Sequence, residues 1–280
     1  VRRLFPLMIV LLTSLLLAGH SVAQTCPCPA EPPVVEQLTP EIIASFPHDT
    51  DSFTQGLLLY DGTFYESAGE YGESDIRQVE IETGEILRTV ALDAQYFAEG
   101  LTLVDNLTNS DGTPISPYLI QLTWRENTAF VWDLQTFENI GSFMYETDGW
   151  GICYDGERLY MSDGSYNLFV RDPRSFRLLA MIPVLLDGQP VYNLNELECV
   201  GDDVYANVWQ TNNIVRIDKA TGDVNANIDA SFLLTDEEYA ALEGGAVLNG
   251  IAYNAATDTF YITGKLWPRV FEVRFVGAAG

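Results

Sequence analysis

Short runs of aromatic and β-branched residues, each preceded by a turn, recur along most of the chain. Asp61-Gly62-Thr63-Phe64-Tyr65, Asp155-Gly156-Glu157-Arg158-Leu159-Tyr160, Gly201-Asp202-Asp203-Val204-Tyr205 and Thr257-Asp258-Thr259-Phe260-Tyr261 share this form. Each has the length and composition of a strand bounded by turn residues. A further strand follows in Arg77–Ile81, Ala129–Trp132, Leu168–Val170, Ile214–Ile217 and Val270–Val273, then a turn such as Glu82-Thr83-Gly84-Glu85 or Ala220-Thr221-Gly222-Asp223 and another strand. Upstream of each group stands a short phrase: Gln55-Gly56-Leu57, Glu99-Gly100-Leu101, Trp150-Gly151-Ile152, Asn195-Glu196-Leu197 and Asn249-Gly250-Ile251. The phrases are about 44, 51, 45 and 54 residues apart, a period that marks a repeat architecture. Four short strands repeated five times predict an all-β fold, a five-bladed β-propeller.

In that architecture the first strand of every blade lines a central channel, so Gln55, Glu99, Trp150, Asn195 and Asn249 are expected to converge at one end of it. The neighbouring small residues let the backbones crowd together. Glu41–Phe46 reads as a strand without a blade of its own, and the last blade shows only three strands. Docking the first onto the last would close the ring and remove two sheet edges. Two insertions lengthen the period. Asp105–Pro117 is polar and reads as a loop, whereas Thr235–Gly244 opens with a capping-box pattern and reads as a short helix.

The N-terminus follows a different pattern. Arg2 and Arg3 precede an apolar run from Leu4 to Ala18, and Ser21-Val22-Ala23 supplies a small-x-small site, so Val1–Ala23 reads as a secretory signal peptide. The run is shorter than the roughly 20 residues of a membrane span. Residues 24–40 carry five prolines between Thr25 and Pro40 and read as an extended linker, leaving residues 41–276 for the folded domain. A secreted or periplasmic location follows. Cys26 and Cys28 lack metal-binding partners and the residues before Cys26 fit a lipidation site poorly; Cys153 and Cys199 are expected to be buried thiols rather than a bridge.

Charge narrows the partners. The formal net charge is −26, with 40 acidic against 14 basic residues, and losing Arg2 and Arg3 would deepen it. Such a surface repels nucleic acid and anionic membranes and favours cationic partners. With 47% hydrophobic and 12% aromatic residues, the domain can bury an adequate core, and a monomer is expected.

The chemistry available to the ring is limited. Beyond Ala23 the only histidine is His48, so a zinc site built on imidazoles is ruled out, and a Ser-His-Asp triad through His48 lacks a nucleophile elbow. His48 reads as a structural hydrogen-bonding residue. Glu99, expected among Phe53, Phe97, Trp124, Trp150 and Trp209, is placed where apolar rings would raise its pKa into the range of a general acid or base. Lys265 could supply a fixed cation, and Asn195, Asn249 and Gln55 amide groups for a developing oxyanion.

Ten ordered motifs, among them Phe53-Thr54-Gln55-Gly56-Leu57, Glu99-Gly100-Leu101-Thr102, Gln121-Leu122-Thr123-Trp124, Leu194-Asn195-Glu196-Leu197-Glu198, Ala206-Asn207-Val208-Trp209 and Thr263-Gly264-Lys265-Leu266-Trp267-Pro268, resemble the plant and bacterial type glutaminyl-peptide cyclotransferases from about Phe46 to Phe275. The resemblance implies a five-bladed propeller that converts an N-terminal glutamine of peptides or proteins into pyroglutamate and releases ammonia without a catalytic zinc. It implies that Phe53, Phe97, Trp124, Trp150 and Trp209 form the pocket and that Gln55, Glu99, Asn195 and Lys265 are its polar members. Departures are Ala98 in place of glycine, Ala68 in place of threonine and the longer Asp105–Pro117 loop. The expected roles are Glu99, Lys265 and Asn195 as catalytic groups and the remainder, with Gln55 and Asn249, as substrate-binding. No cofactor or catalytic metal is expected, with room left for a structural calcium in the channel. Two other readings use the same ring: an exported, non-catalytic peptide- or sugar-binding propeller, and a calcium-dependent lactonase-like propeller with Glu99, Asn195 and Asn249 as oxygen ligands.

Overall fold

Alternating burial and closely spaced turns make strands of nearly every segment the sequence marks. The computed structural model describes residue 1 and residues 34–278 apart from residue 243; the expected signal peptide, most of the linker, and Cys26 and Cys28 lie outside the described residues. The first strand is β1 (Glu36–Pro47). Four antiparallel strands follow as a first sheet, β2 (Thr54–Tyr60), β3 (Thr63–Ala68), β4 (Asp75–Glu80) and β5 (Ile86–Ala91). The second is β6 (Ala98–Val104), β7 (Tyr118–Thr123), β8 (Thr128–Asp133) and β9 (Asn139–Met144). The third is β10 (Ile152–Tyr154), β11 (Leu159–Met161), β12 (Asn167–Arg171) and β13 (Leu178–Pro183), followed by a small hairpin, β14 (Leu185–Leu186) and β15 (Gln189–Pro190). The fourth is β16 (Leu194–Val200), β17 (Asp203–Val208), β18 (Asn213–Asp218) and β19 (Val224–Asp229). After the helix α1 (Asp236–Ala241) come β20 (Leu248–Asn254), β21 (Thr259–Gly264) and β22 (Arg269–Gly277).

The fifth set is completed by β1, which runs antiparallel to β22 from Leu38 opposite Gly277 to Pro47 opposite Arg269. The expected closure by the N-terminal strand is therefore present. It is also more extensive than expected, because β1 begins at Glu36, within the segment read as linker. There Glu36–Leu38 pair in parallel with Ala226–Ile228 of β19. Thr39 and Pro40 still lie in the strand, where Pro40 faces Phe275. One strand thus covers the edges of two sheets at once, which joins them into a single eight-stranded sheet.

The core runs between sheets. Leu58, Tyr65 and Ile76 of the first sheet pack on Leu101, Leu119 and Trp132 of the second. Equivalent clusters join the second to the third, the third to the fourth, the fourth to the fifth, and the fifth back to the first, where Ala252 and Tyr261 meet Leu57 and Phe64. The first strands β2, β6, β10, β16 and β20 neighbour one another in the same cyclic order. They are largely buried, as are second strands such as β7 and β21, whereas a fourth strand such as β9 is almost wholly exposed. Close approach of the first strands depends on glycine. A Cβ on Gly100 would lie 2.7 Å from the Trp150 carbonyl oxygen, and one on Gly151 would lie 2.0 Å from the Asn195 carbonyl oxygen.

Cys153 and Cys199 form a disulfide, with Cα atoms 5.5 Å apart. The expectation of free thiols is corrected by strand order: β10 and β16 lie side by side, which brings two cysteines 46 residues apart in sequence within bridging range. The loop 105–117 leaves the far end of β6 from Glu99. It packs there, with Asn106 donating to the Gly156 carbonyl at 3.0 Å and accepting from the Tyr154 hydroxyl.

Candidate active site

Four of the five opening phrases share one local device. Pairing of first and second strands slips between Thr54 and Gly56, between Ala98 and Leu101, between Leu194 and Leu197, and between Leu248 and Ile251. A β-bulge at such a position re-aims a side chain out of the regular alternation. Gln55, Glu99, Asn195 and Asn249 are the residues within those slips. In the third sheet Trp150 precedes β10, with its N–H on the Ser162 carbonyl at 3.1 Å.

Four of these five side chains reach a single cavity of about 290 Å³ that opens to the surface. Its walls are the rings of Phe53, Phe97, Trp124, Trp150 and Trp209, and its interior polar members are Gln55, Glu99, Asn195 and Lys265. Phe97 meets Phe53 and Trp124 edge-on at 6.2 and 5.6 Å, and Trp150 meets Trp209 at 5.4 Å. Gly69 makes room for this wall, since a Cβ there would lie 2.4 Å from the Phe97 ring. Trp124, Trp209 and Lys265 stand directly after β7, β17 and β21, so three of the sheets deliver a lining residue from the end of the second strand as well.

Glu99 is 5% exposed and Lys265 4% exposed, and among the described residues neither side chain has a hydrogen-bond partner or an ion pair within 4.0 Å. Burial pushes the Glu99 carboxyl well above the usual carboxylate range; Lys265 opposes the shift, and Asp148 and Glu126 add to it. Burial likewise pushes the Lys265 ammonium down to about 8 against the pull of Glu99 and Glu70. Its Nζ lies 4.5 Å from the centre of the Phe53 ring, a cation on an aromatic face. Two further wall atoms, Trp150 Nε1 and Asn195 Oδ1, are buried without a partner among the described residues. Buried polar atoms are nearly always satisfied, so the unpartnered Glu99 and Lys265 mark the place where a polar ligand is received.

The turn that carries Lys265 is pinned from below. Lys265 N donates to the Val247 carbonyl at 2.9 Å and Leu266 N to the Ser52 carbonyl at 2.8 Å. His48 Nδ1 bonds to the Trp267 carbonyl at 2.7 Å, and its Nε2 lies 3.1 Å from Glu66 Oε1. Ser52 and Thr54 hydroxyls donate to the same carboxylate oxygen at 2.6 and 2.7 Å. His48 is thus a structural residue, as the sequence suggests, and its partner is Glu66.

Asn249 is the one expected site residue that does not line the cavity. Its amide donates to the Thr54 carbonyl at 2.9 Å and to Gln55 Oε1 at 3.3 Å, so it positions Gln55 instead of meeting a ligand. Glu196, at the same phrase position as the glycines of the other sheets, is also turned inward, where Oε2 accepts the Ile251 N–H at 2.8 Å. Two lining residues escape the sequence reading, Glu70 and Gly245. Glu70 lies two residues beyond β3, one position past the place that Trp124, Trp209 and Lys265 hold after their second strands, which Gly69 takes here. Gly245 follows α1, so the helical insertion, not the 105–117 loop, reaches the cavity rim. Among the described residues no three His, Cys, Asp or Glu side chains converge as a metal site, and none of their helices is long and apolar enough to cross a membrane.

Comparison with known proteins follows the same lines. The family model described as glutamine cyclotransferase matches residues 11–275. A glutaminyl-peptide cyclotransferase of Arabidopsis thaliana is 38% identical over 242 residues, 85% of this chain and 72% of the relative. The crystal structure of Myxococcus xanthus glutaminyl cyclase superposes with a TM-score of 0.77 at 38% identity, covering 88% of this chain and all of that one. Sequence, fold and cavity agree, and this chain belongs to the glutamine cyclotransferase family.

Proposed function

We propose that the protein is a glutaminyl-peptide cyclotransferase that closes the N-terminal glutamine of a peptide into pyroglutamate, on a five-bladed β-propeller sealed by β1. Five sheets in cyclic contact support the propeller reading. The observation that carries the reaction is a buried, unpartnered carboxyl, Glu99, facing a buried, unpartnered ammonium, Lys265, in an aromatic cavity.

The substrate holds both reactants, so the enzyme's main task is to fix the cyclising rotamer. The rings of Trp124, Trp150 and Trp209 enclose the glutamine side chain and exclude water, which would otherwise deamidate it. The neutral α-amine attacks the side-chain amide carbon; an N–C bond forms, and the carbonyl oxygen becomes an oxyanion held by Lys265 and Asn195. Glu99, with its raised pKa, relays a proton from the attacking nitrogen to the amide nitrogen. The C–N bond then breaks, and ammonia leaves. Gln55, oriented by Asn249, meets the peptide's polar atoms.

None of these steps uses a metal. An extracytoplasmic location is supported by the Cys153–Cys199 disulfide. The test is ammonia release from a glutamine-initiated dipeptide amide in excess EDTA. We expect chelator-resistant turnover that rises with pH as the amine deprotonates and falls again above about 8 as the Lys265 ammonium is lost, and that falls about 100- to 1000-fold in Lys265→Ala. Binding without release would leave a non-catalytic peptide-binding protein, and loss of activity to EDTA with recovery on adding calcium would point to a metal-centred reaction.

A further inference from the structure

The interior of the cavity is assigned to the glutamine side chain and α-amine, so the rest of the peptide must leave past its mouth. Exposure orders the cavity from inside to out. Gln55, Glu99 and Asn195 are buried at 3, 5 and 3% exposure, whereas Glu70 and Gly245 on the same cavity are exposed. Glu70 and Gly245 therefore mark the mouth past which the residue that follows the glutamine must leave.

The mouth is acidic and Glu70 is its free charge. Two more carboxylates stand close enough to act on Glu99 through space, Glu126 and Asp148. Both have partners: Glu126 accepts from the Tyr71 hydroxyl at 2.9 Å, and Asp148 lies 3.9 Å from Arg125. Arg125 is itself held over the Trp124 ring at 3.7 Å. The Glu70 carboxylate has no hydrogen bond or ion pair among the described residues, and Tyr71 beside it packs its ring on Phe97 at 5.3 Å. The second observation is inside the same cavity, where the unpartnered Glu99 and Lys265 await a ligand whose chain must cross this rim. The interior ammonium of Lys265 would repel a cation placed deep in the cavity, which leaves the rim as the place where a positive side chain is favoured.

We propose that Glu70 is a specificity-determining residue, selecting peptides in which lysine or arginine follows the N-terminal glutamine. The inference rests on the function proposed above and names its substrate class. Glu126 and Asp148 add to the field, and the net charge of −26 steers such peptides towards the protein.

Three dipeptide amides that differ only in the second residue, Gln-Lys, Gln-norleucine and Gln-Glu, test this with the wild type, Glu70→Gln and Glu70→Lys. In 20 mM salt we expect wild-type kcat/KM to favour Gln-Lys over Gln-norleucine about 10-fold, mostly through KM, and salt at about 0.5 M to compress the ratio. Glu70→Gln should cut the ratio about 3-fold, and Glu70→Lys should move the preference towards Gln-Glu. Ratios identical in all three proteins, or an equal loss on all three peptides, would overturn the inference while leaving the cyclotransferase reading in place. The equal loss would mean that Glu70 meets the α-amine common to all of them. No ammonia from any peptide with the folded wild type would remove both.

Discussion

Glu99 and Glu66 are the same residue type, almost equally buried at 5 and 2%, yet their surroundings are opposite. Burial acts on Glu66 too, but the His48 ring and the Arg77 charge, with the Ser52 hydroxyl, hold it down at about 2. His48, Ser52 and Thr54 all converge on its Oε1, and the cluster ties β2 and β3 to the turn that bears Lys265. Glu99 has the burial without the partners, so its carboxyl keeps its proton far above the ordinary range. Depth alone does not decide the charge of a buried carboxyl; the groups around it do. The two regions are also coupled, because the satisfied one fixes the turn from which the unsatisfied one receives its ammonium.

The contrast can be broken from either side. Glu99→Gln should lower kcat in the ammonia-release assay by about 100- to 10,000-fold. Its Tm at pH 7 should not fall, because a buried carboxyl of raised pKa contributes no stability there. A large drop in Tm would mean that Glu99 is a structural group like Glu66. Glu66→Ala should do the reverse in thermal unfolding. It leaves His48 buried without its counter-charge, a loss of about 3–5 kcal/mol, or about 6–20 °C in Tm for a domain of this size. Activity should fall as well through the displaced Lys265 turn, and normal stability in this variant would sink the account of the cluster.

Replacing Cys153 and Cys199 together by alanine should cost about 2–4 kcal/mol without altering kcat, since the bridge ties two first strands away from the cavity. A change in KM would show that the strand spacing at Asn195 depends on it. The smallest effect is in the pH dependence of stability. Glu66 is depressed from 4.5 to about 2, so its contribution is complete above pH 4.5 and is lost as pH falls towards about 2. His48 is raised from 6.5, its burial being outweighed by Glu66, so its contribution is complete below pH 6.5 and is lost as pH climbs through the raised value. The cluster therefore stabilises most between pH 4.5 and 6.5, and Glu66→Ala should lower Tm in this window and remove the cluster's loss of stability on either side of it.

Much of the site was legible because it repeats. Gln55, Glu99, Trp150, Asn195 and Asn249 stand at one position of a fivefold pattern, and chain geometry alone sends such positions to one end of the first strands. The bulges explain why the phrase itself recurs, since a strand that must slip its pairing needs a small or polar residue at the slip. Trp124, Trp209 and Lys265 were named from the residues and again through the resemblance, each standing directly after a second strand, whereas Glu70, one position further beyond β3, was not singled out. Asn249 shows the limit of the repeat, because its amide is taken by Thr54 and Gln55 of the adjacent sheet. Whether a ring residue faces a ligand or a neighbour depends on which side chains oppose it.

Local periodicity, turn chemistry and the capping box of Thr235 and Glu238 determined the strands and the one helix of the described residues, because these depend on residues close together in the chain. Tertiary structure alone decided the rest. It paired Cys153 with Cys199, laid β1 across the edges of both β19 and β22, gave His48 to Glu66, and left Glu99, Lys265 and Glu70 without partners. These are contacts between residues tens to hundreds of positions apart, and their energies come from burial and charge in a shared space that no short window of sequence contains.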